Sequence, residues 1–225
     1  MKKISICLLV AIPCIVNAKS YLLRLNFIKN SQYNIKENWK VKNWNGEKNT
    51  FSFIVQNTIT HVSSAKATAK IKWKLKNFMH NNKIIPRKIG GTLTMDRRGR
   101  MLIVNGKRNI KRQRYPILPK NKITQNSKWK TYITIPIRNM YYQIPVKTFF
   151  KTTTNNRLLI FHLSGQKKNL NFNGTIMKIK LTGKTGFDVI KKAYKNMFLK
   201  VKYYMKAGKT WRLISTAYVT RKVIY

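Results

Sequence analysis

The chain has 225 residues and sets 48 Lys and Arg against four acids, Glu37, Glu47, Asp96 and Asp188, for a formal net charge of +44. The charged fraction of 23% is ordinary, so the anomaly lies in the sign alone. With three histidines, four acids and two cysteines confined to positions 7 and 14, the composition argues against metal-centred, thiolate and paired-carboxylate chemistry.

Codon drift in an AT-rich genome, which turns Glu into Lys and Asp into Asn, supplies part of this bias. Gly, Ala and Val share G-starting codons, yet they still number ten, eight and eleven, against two Asp and two Glu. The remainder asks for a negative partner, because a surface of one sign repels itself.

Residues 1–18 read as a secretory signal. Lys2 and Lys3 open it, Ile4 to Val16 form the apolar stretch, and Val16-Asn17-Ala18 places cleavage near Ala18. The apolar run of 13 residues is shorter than the roughly 20 that span a bilayer. Ile12-Pro13 before Cys14 is a poor lipoprotein pattern, so no lipid anchor is expected. Removal of the signal takes both cysteines with it. The expectation is a thiol-free exported protein, periplasmic or extracellular, whose short Met-Lys-Lys start suggests a bacterial envelope.

Residues 19–225 are expected to form a single β-rich domain. Strands are predicted at Tyr21–Ile28, around Trp39-Lys40-Val41-Lys42, and at Phe51–Val62. From Ala65 to Lys76 the alternation is strict, with Ala65, Ala67, Ala69, Ile71, Trp73 and Leu75 on one face and Lys66, Thr68, Lys70, Lys72, Lys74 and Lys76 on the other. That is the mark of a half-buried strand with a lysine ladder facing water. Thr92–Met95 and Met101–Val104 form a hairpin whose turn is built by Asp96, bonding its own backbone, and by Gly99 at positive φ.

Residues 105–128, with Pro116, Pro119 and many basic side chains, read as a crossover between two β sections. A linker between two domains is the alternative. Further strands follow at Trp129–Pro136, Tyr141–Phe149, Leu158–Leu163 and Met177–Leu181. Gly183-Lys184-Thr185-Gly186-Phe187-Asp188 repeats the spacing of Gly91 to Asp96, giving Asp188 an equivalent turn role.

Residues 187–206 admit two readings. Phe187, Ile190, Tyr194, Met197, Val201 and Tyr204 share a helix face, with Thr185-x-x-Asp188 as a capping box and Gly208 as the stop. Residues 197–203 alternate instead, and the parallel with residues 91–104 favours a hairpin, leaving one C-terminal helix as the alternative. Trp211–Val223 is the last strand. The fold class is mainly β: antiparallel sheets arranged as a curved sheet, a sandwich or a partial barrel.

The phrase Tyr115-Pro116-Ile117-Leu118-Pro119 leading to Trp129, with the later Gly183 to Asp188 phrase, resembles uncharacterised exported β-rich bacterial proteins of unknown function. The resemblance spans most of residues 20–225. It departs at Lys191, where a turn Gly is expected, and in its charge. It implies the β architecture and no activity.

No Gly-x-Ser-x-Gly elbow or phosphate loop is present, and His61, His80 and His162 lack ligand spacing. No enzyme, cofactor or metal is expected; a triad drawn from His162, Asp188 and a serine is the weaker alternative. Alternate strand residues lie roughly 6.5–7 Å apart, so Lys66, Lys70, Lys72, Lys74 and Lys76 form a row suited to a repeating polyanion. Arg97, Arg98, Arg100, Lys107, Arg108, Lys111, Arg112 and Arg114 form a second cluster, and Lys178, Lys180, Lys200 and Lys202 extend the pattern.

Lys outnumbers Arg 36 to 12, which favours point-charge, salt-sensitive binding over bidentate readout. The expected function is non-specific binding of a polyanionic envelope component: lipopolysaccharide, anionic lipid or extracellular nucleic acid. Two alternatives stand beside it. One is a structural or assembly subunit with an acidic envelope protein as partner. The other is a periplasmic carrier of an amphipathic anionic ligand, which requires a large apolar cavity. The sequence does not set the oligomeric state.

Overall fold

The computed structural model describes residues 20–225 apart from 88, 109–112, 138–139, 155–156 and 173. The signal read at 1–18, and Lys111 and Arg112 of the basic cluster, lie outside the described residues. Period-two alternation yields strands throughout: β1 (Gln32–Asn43), β2 (Lys48–Ser63), β3 (Thr68–His80), β4 (Lys83–Ile84), β5 (Gly90–Asp96), β6 (Met101–Val104) and β7 (Lys107–Arg108), then β8 (Lys128–Ile137), β9 (Met140–Thr154), β10 (Leu158–Phe172), β11 (Thr175–Asp188), β12 (Ala193–Ala207) and β13 (Thr210–Ile224).

All thirteen join one antiparallel sheet in the order β7-β6-β5-β3-β2-β1-β13-β12-β11-β10-β9-β8, with β4 beside β3. The first and last long strands are therefore neighbours, and two meanders run outward from that seam. The described residues contain no helix, and residues 187–206 form the β11–β12 hairpin.

One face of this sheet is apolar from edge to edge. Ile35, Val55, Ile71 and Leu93 share it on one side of the seam, and Val219, Leu199, Leu181 and Leu163 on the other; each of these side chains is buried. The opposite face carries the lysines. An apolar face this wide must fold onto itself, and bulges between Ile160 and Phe161 and between Gly186 and Phe187 help it bend. Gly165 and Gly183 permit close strand approach, since a Cβ at either would lie 2.2 Å from a facing carbonyl oxygen, that of Pro145 and of Phe198 respectively.

The sheet does not close by strand pairing. Residue Gln113 of the crossover clasps its two sides instead. Its Nε2 donates to the Gly99 carbonyl (2.7 Å), and its Oε1 accepts from the Met101 amide at the start of β6. Its backbone amide donates to Thr134 Oγ1 on β8 (2.8 Å), and its carbonyl accepts from the Thr134 amide.

The predicted strand at Tyr21–Ile28 is absent; only an isolated bridge joins Tyr21 to Ile123. The segment lies over the inner face with Leu23 buried, while Leu22, Asn26 and Ile28 are exposed. Tyr21 exchanges backbone bonds with Ile123, the Leu25 amide donates to Arg97, and the Asn26 amide donates to Lys192. Three different segments thus satisfy a backbone that one partner strand would otherwise satisfy.

Both aspartate turns meet this segment. Asp96 Oδ1 accepts from the Arg98 and Arg100 amides (3.0 and 2.8 Å), and Asp188 Oδ1 from the Ile190 and Lys191 amides (3.0 and 2.9 Å). Arg100 and Arg157 pair with the second oxygens, each at 3.1 Å. Burial raises the Asp188 pKa, but the hydrogen bonds and Arg157 outweigh it and hold the value low. In chemical denaturation, Asp188→Ala is expected to cost about 1–3 kcal/mol, because two turn amides lose their acceptor. Asp188→Asn keeps an acceptor oxygen and should cost less.

Candidate functional site

The inner face is filled unevenly. On the β8–β13 side, residues such as Ile133, Ile144, Leu163, Ile179, Leu199 and Val219 pack directly on one another. Leu23, Leu118 and Ile123, from the inserted segments, pack on Phe150, Phe161 and Phe187. A third cluster, built on Ile59, Ile71, Leu93 and Met101, covers β2 to β6. Between the second and third clusters remains a cavity of about 640 Å³, within the range of small-molecule sites. Its walls include Ile35, Val55, Ile59, Trp73, Leu93 and Met101.

Arg221 and Tyr115 stand on the side of this cavity away from its opening. Arg221 lies directly across the seam from Glu37, one inward rung below the Ile35–Val223 pair. Its Nε donates to Glu37 Oε2 at 2.7 Å and its Nη2 to Oε1 at 3.3 Å, both side chains being buried. Trp39 Nε1 donates to Glu37 Oε1 at 2.6 Å, and Arg221 Nη1 donates to the Arg114 carbonyl. Burial pushes the Glu37 pKa up, but Arg221, Arg114 and the two hydrogen-bonded side chains more than reverse this, leaving it below the ordinary value.

Tyr115 stacks on Tyr194, with ring centroids 4.7 Å apart, and the Arg221 guanidinium lies 5.8 Å from the Tyr115 ring centre. Tyr194 donates to the Pro116 carbonyl. The Tyr115 hydroxyl is buried with no hydrogen-bond partner among the described residues, and burial raises its pKa. Tyr33, also lining the cavity, is raised for the same reason. The far wall is thus an ion pair of zero net charge beside a neutral phenol, with Arg114, close enough to help depress the Glu37 pKa, as an additional cation.

Exposed residues line the other end: Ile28, Gln32, Ile190, Lys191, Lys192 and Tyr225. This is the mouth, at the end of the sheet that also holds the two aspartate turns.

The predicted basic residues are not gathered into one groove. Lys66 is exposed on the β2–β3 turn, and Lys70, Lys72, Lys74 and Lys76 are exposed on the outer face of β3. Lys180 and Lys202 stand directly opposite each other on β11 and β12, with Lys200 one outward rung further along. Between the two sets run β2, β1 and β13. Lys178 is only 8% exposed, its ammonium lying 4.5 Å from the Tyr204 ring centre and 4.6 Å from that of Trp211. Desolvation, with Lys180 and Lys168 nearby, lowers its pKa.

Arg97 is exposed, whereas Arg98 donates to the Leu118 carbonyl and Arg100 is held by Asp96. Lys107 and Arg108 form β7 at the sheet edge, and Arg114 lines the cavity. Gly99 takes the expected positive φ of 82°.

Sequence reasoning missed a second hollow of about 350 Å³, where Arg98, Lys120, Lys122, Lys128 and Lys130 converge around Ser127 and Trp129 with no carboxylate among them. It also missed Arg221 and Glu37, although both sit in the apolar phase of their strands.

Of the histidines, His61 and His162 are exposed, while His80 stacks on Phe51 at 4.6 Å. Among the described residues no cluster of three or more His, Cys, Asp or Glu is placed to hold a metal ion. No protein-family model matches the chain, and no curated protein is similar to it.

Either Glu37→Gln or Arg221→Met alone is expected to destabilise by about 3–5 kcal/mol, by stranding a buried charge or its hydrogen bonds. The double replacement Glu37→Leu with Arg221→Met should cost markedly less, and equilibrium unfolding of all three variants measures the difference. The pH dependence has a fixed sign. The Glu37 pKa is depressed below 4.5 in the folded state, so its contribution is complete above that pH and is lost as pH falls through the folded value. Unfolding of Glu37→Gln across the acid range should show a flatter pH dependence than the parent.

Proposed function

We propose that this protein is a non-enzymatic exported carrier that holds one amphipathic anionic ligand in its cavity. The observation that carries this reading is the 640 Å³ hollow, walled by Ile35, Val55, Ile59 and Leu93 and open at a lysine-bearing mouth.

The electrostatics set the orientation. Arg221 already has its counter-charge in Glu37, which leaves Arg114 as the cation lining that end without a carboxylate partner among the described residues, and an anionic head drawn there would lose most of its hydration. Lys191 and Lys192 at the mouth are unopposed cations in water. The apolar part therefore enters first and the anionic head stays outside, with the Tyr115 hydroxyl available to a polar atom near the buried end.

A fluorescent anionic fatty-acid analogue should bind saturably at one site per chain. Ile59→Trp, which fills the cavity, should weaken binding at least roughly tenfold, the scale expected when a well-buried apolar contact is replaced by a steric block. Its unfolding midpoint should stay close to that of the parent. Absence of binding, or equal binding by the variant, would sink the carrier reading.

A second reading, binding of a polyanion by point charges, is supported by the carboxylate-free hollow at Arg98, Lys120, Lys122, Lys128 and Lys130. With a single-stranded oligonucleotide as probe, replacing Lys120, Lys128 and Lys130 by Gln should lower the slope of log affinity against log salt by roughly 2, since each phosphate contact contributes about 0.7. An unchanged slope would remove this hollow from the binding surface.

A further inference from the structure

We infer that the cavity mouth is a membrane-docking face, built to rest on an anionic bilayer so that the ligand passes between lipid and cavity without crossing water; the inference rests on the carrier reading. Two loops frame the mouth, and each presents an isoleucine beside lysine. In the first, Ser31 closes a turn by donating its amide and its hydroxyl to the Ile28 carbonyl (3.2 and 2.7 Å), which projects Ile28 and Lys29 at the tip. In the second, Asp188 Oδ1 gathers the amides of Ile190 and Lys191, which places Ile190, Lys191 and Lys192 at the tip.

The Asn26 amide donates to the Lys192 carbonyl at 2.9 Å, so the two loops are tied side by side. Tyr225 completes the lip, and the Lys191 ammonium lies 5.1 Å from its ring centre.

Ile28 is 61% exposed, Ile190 69% and Tyr225 57%. Isolated exposed apolar side chains are ordinary, and Trp44 and Ile84 are examples elsewhere on this surface. What sets these three apart is that they surround a single opening, alternate with Lys29, Lys191 and Lys192, and line or border the cavity itself. Glu37 is paired with Arg221, Glu47 accepts from Asn43 and Asn49, and Asp96 and Asp188 are held by turn amides and arginine, so among the described residues no carboxylate side chain is left to offset the lysines of the lip.

Apolar tips that enter the acyl boundary, with lysines at the depth of the headgroup phosphates, are the arrangement that binds an anionic lipid surface. A protein partner would have to match both a convex lip and an open hole behind it. A bilayer adapts to both, and its acyl chains continue the apolar wall.

The test is vesicle co-sedimentation of the purified protein on phosphatidylglycerol–phosphatidylcholine mixtures and on pure phosphatidylcholine. Binding is expected on the anionic vesicles and should be much weaker on the neutral ones. Ile28→Ser with Ile190→Ser should reduce affinity for the anionic vesicles at least about tenfold, the loss expected when two isoleucines no longer leave water, while the unfolding midpoint, set by side chains other than these two exposed ones, stays close to that of the parent.

In a separate variant, Ile190→Trp, the new indole should be quenched by lipids brominated along the acyl chain. Parent-like vesicle binding by the double serine variant, or an unquenched indole, overturns the inference. Failure of the carrier reading gives a different result: docking by the lip persists, but Ile59→Trp leaves fatty-acid binding unchanged.

Discussion

The cross-strand pair of Glu37 and Arg221 is the constraint around which the rest of the molecule is arranged. It lies on the seam between β1 and β13, where the two meanders meet. A buried ion pair is poor evidence of stability, because desolvation offsets much of its attraction. What it supplies is register. A slip of one residue in either strand would turn its charged side chain to the outer face and leave the other buried alone. The same guanidinium donates to the Arg114 carbonyl, so the pair that fixes the seam also fixes the crossover, and through Gln113 it brings β6 toward β8.

All four acids have structural duties, which makes the composition intelligible. Glu37 neutralises Arg221, Asp96 and Asp188 build turns, and Glu47 accepts from Asn43 and Asn49. Among the described residues the three ion pairs all use these acids. Nearly every other cation faces water without a counter-charge, on an outer face that curves away from its neighbours. Convexity spreads the charges apart, and cover by Tyr204 and Trp211 draws Lys178 under aromatic faces, where the ring quadrupole replaces part of the lost hydration.

Much of this was legible in the sequence, because alternation is local. The strand from Thr68 to Lys76 shows its two faces to any reader, and Asp-x-x-Gly at 96–99 states its turn; the same alternation at Ala65 to Ala67 belongs instead to the β2–β3 turn, where Ala67 takes a φ of 48°. The cavity was not legible, since it depends on which strands are neighbours. β3 and β11 look alike in sequence and lie five places apart in the sheet, because β13 returns to β1 instead of continuing outward. The segment from Tyr21 to Ile28 has strand-like alternation yet joins no strand and buries only Leu23, an outcome set by three distant backbone partners. One signal was present and unused. Arg221 follows Ala217 and Val219, and Glu37 precedes Trp39 and Val41, each in the apolar phase. Opposite charges in the inward phase of two strands mark a cross-strand partner.

The charge and the cavity belong to one design problem. An apolar hollow inside a strongly cationic shell attracts anions from every direction, and most would gain little by entering, because its walls are mainly apolar and Arg221 is already paired with Glu37. On the proposed carrier reading, a molecule with an apolar body and a negative end satisfies both parts: the shell lowers the free energy of its head while the inner face takes its chain. The shell also repels itself across every pair of facing lysines, such as Lys180 and Lys202. Any anion bound at the surface relieves that repulsion in the folded state, where the charges are closest. Binding and folding stability are therefore coupled through the same cations, and the excess charge that taxes the free protein becomes part of the free energy of binding.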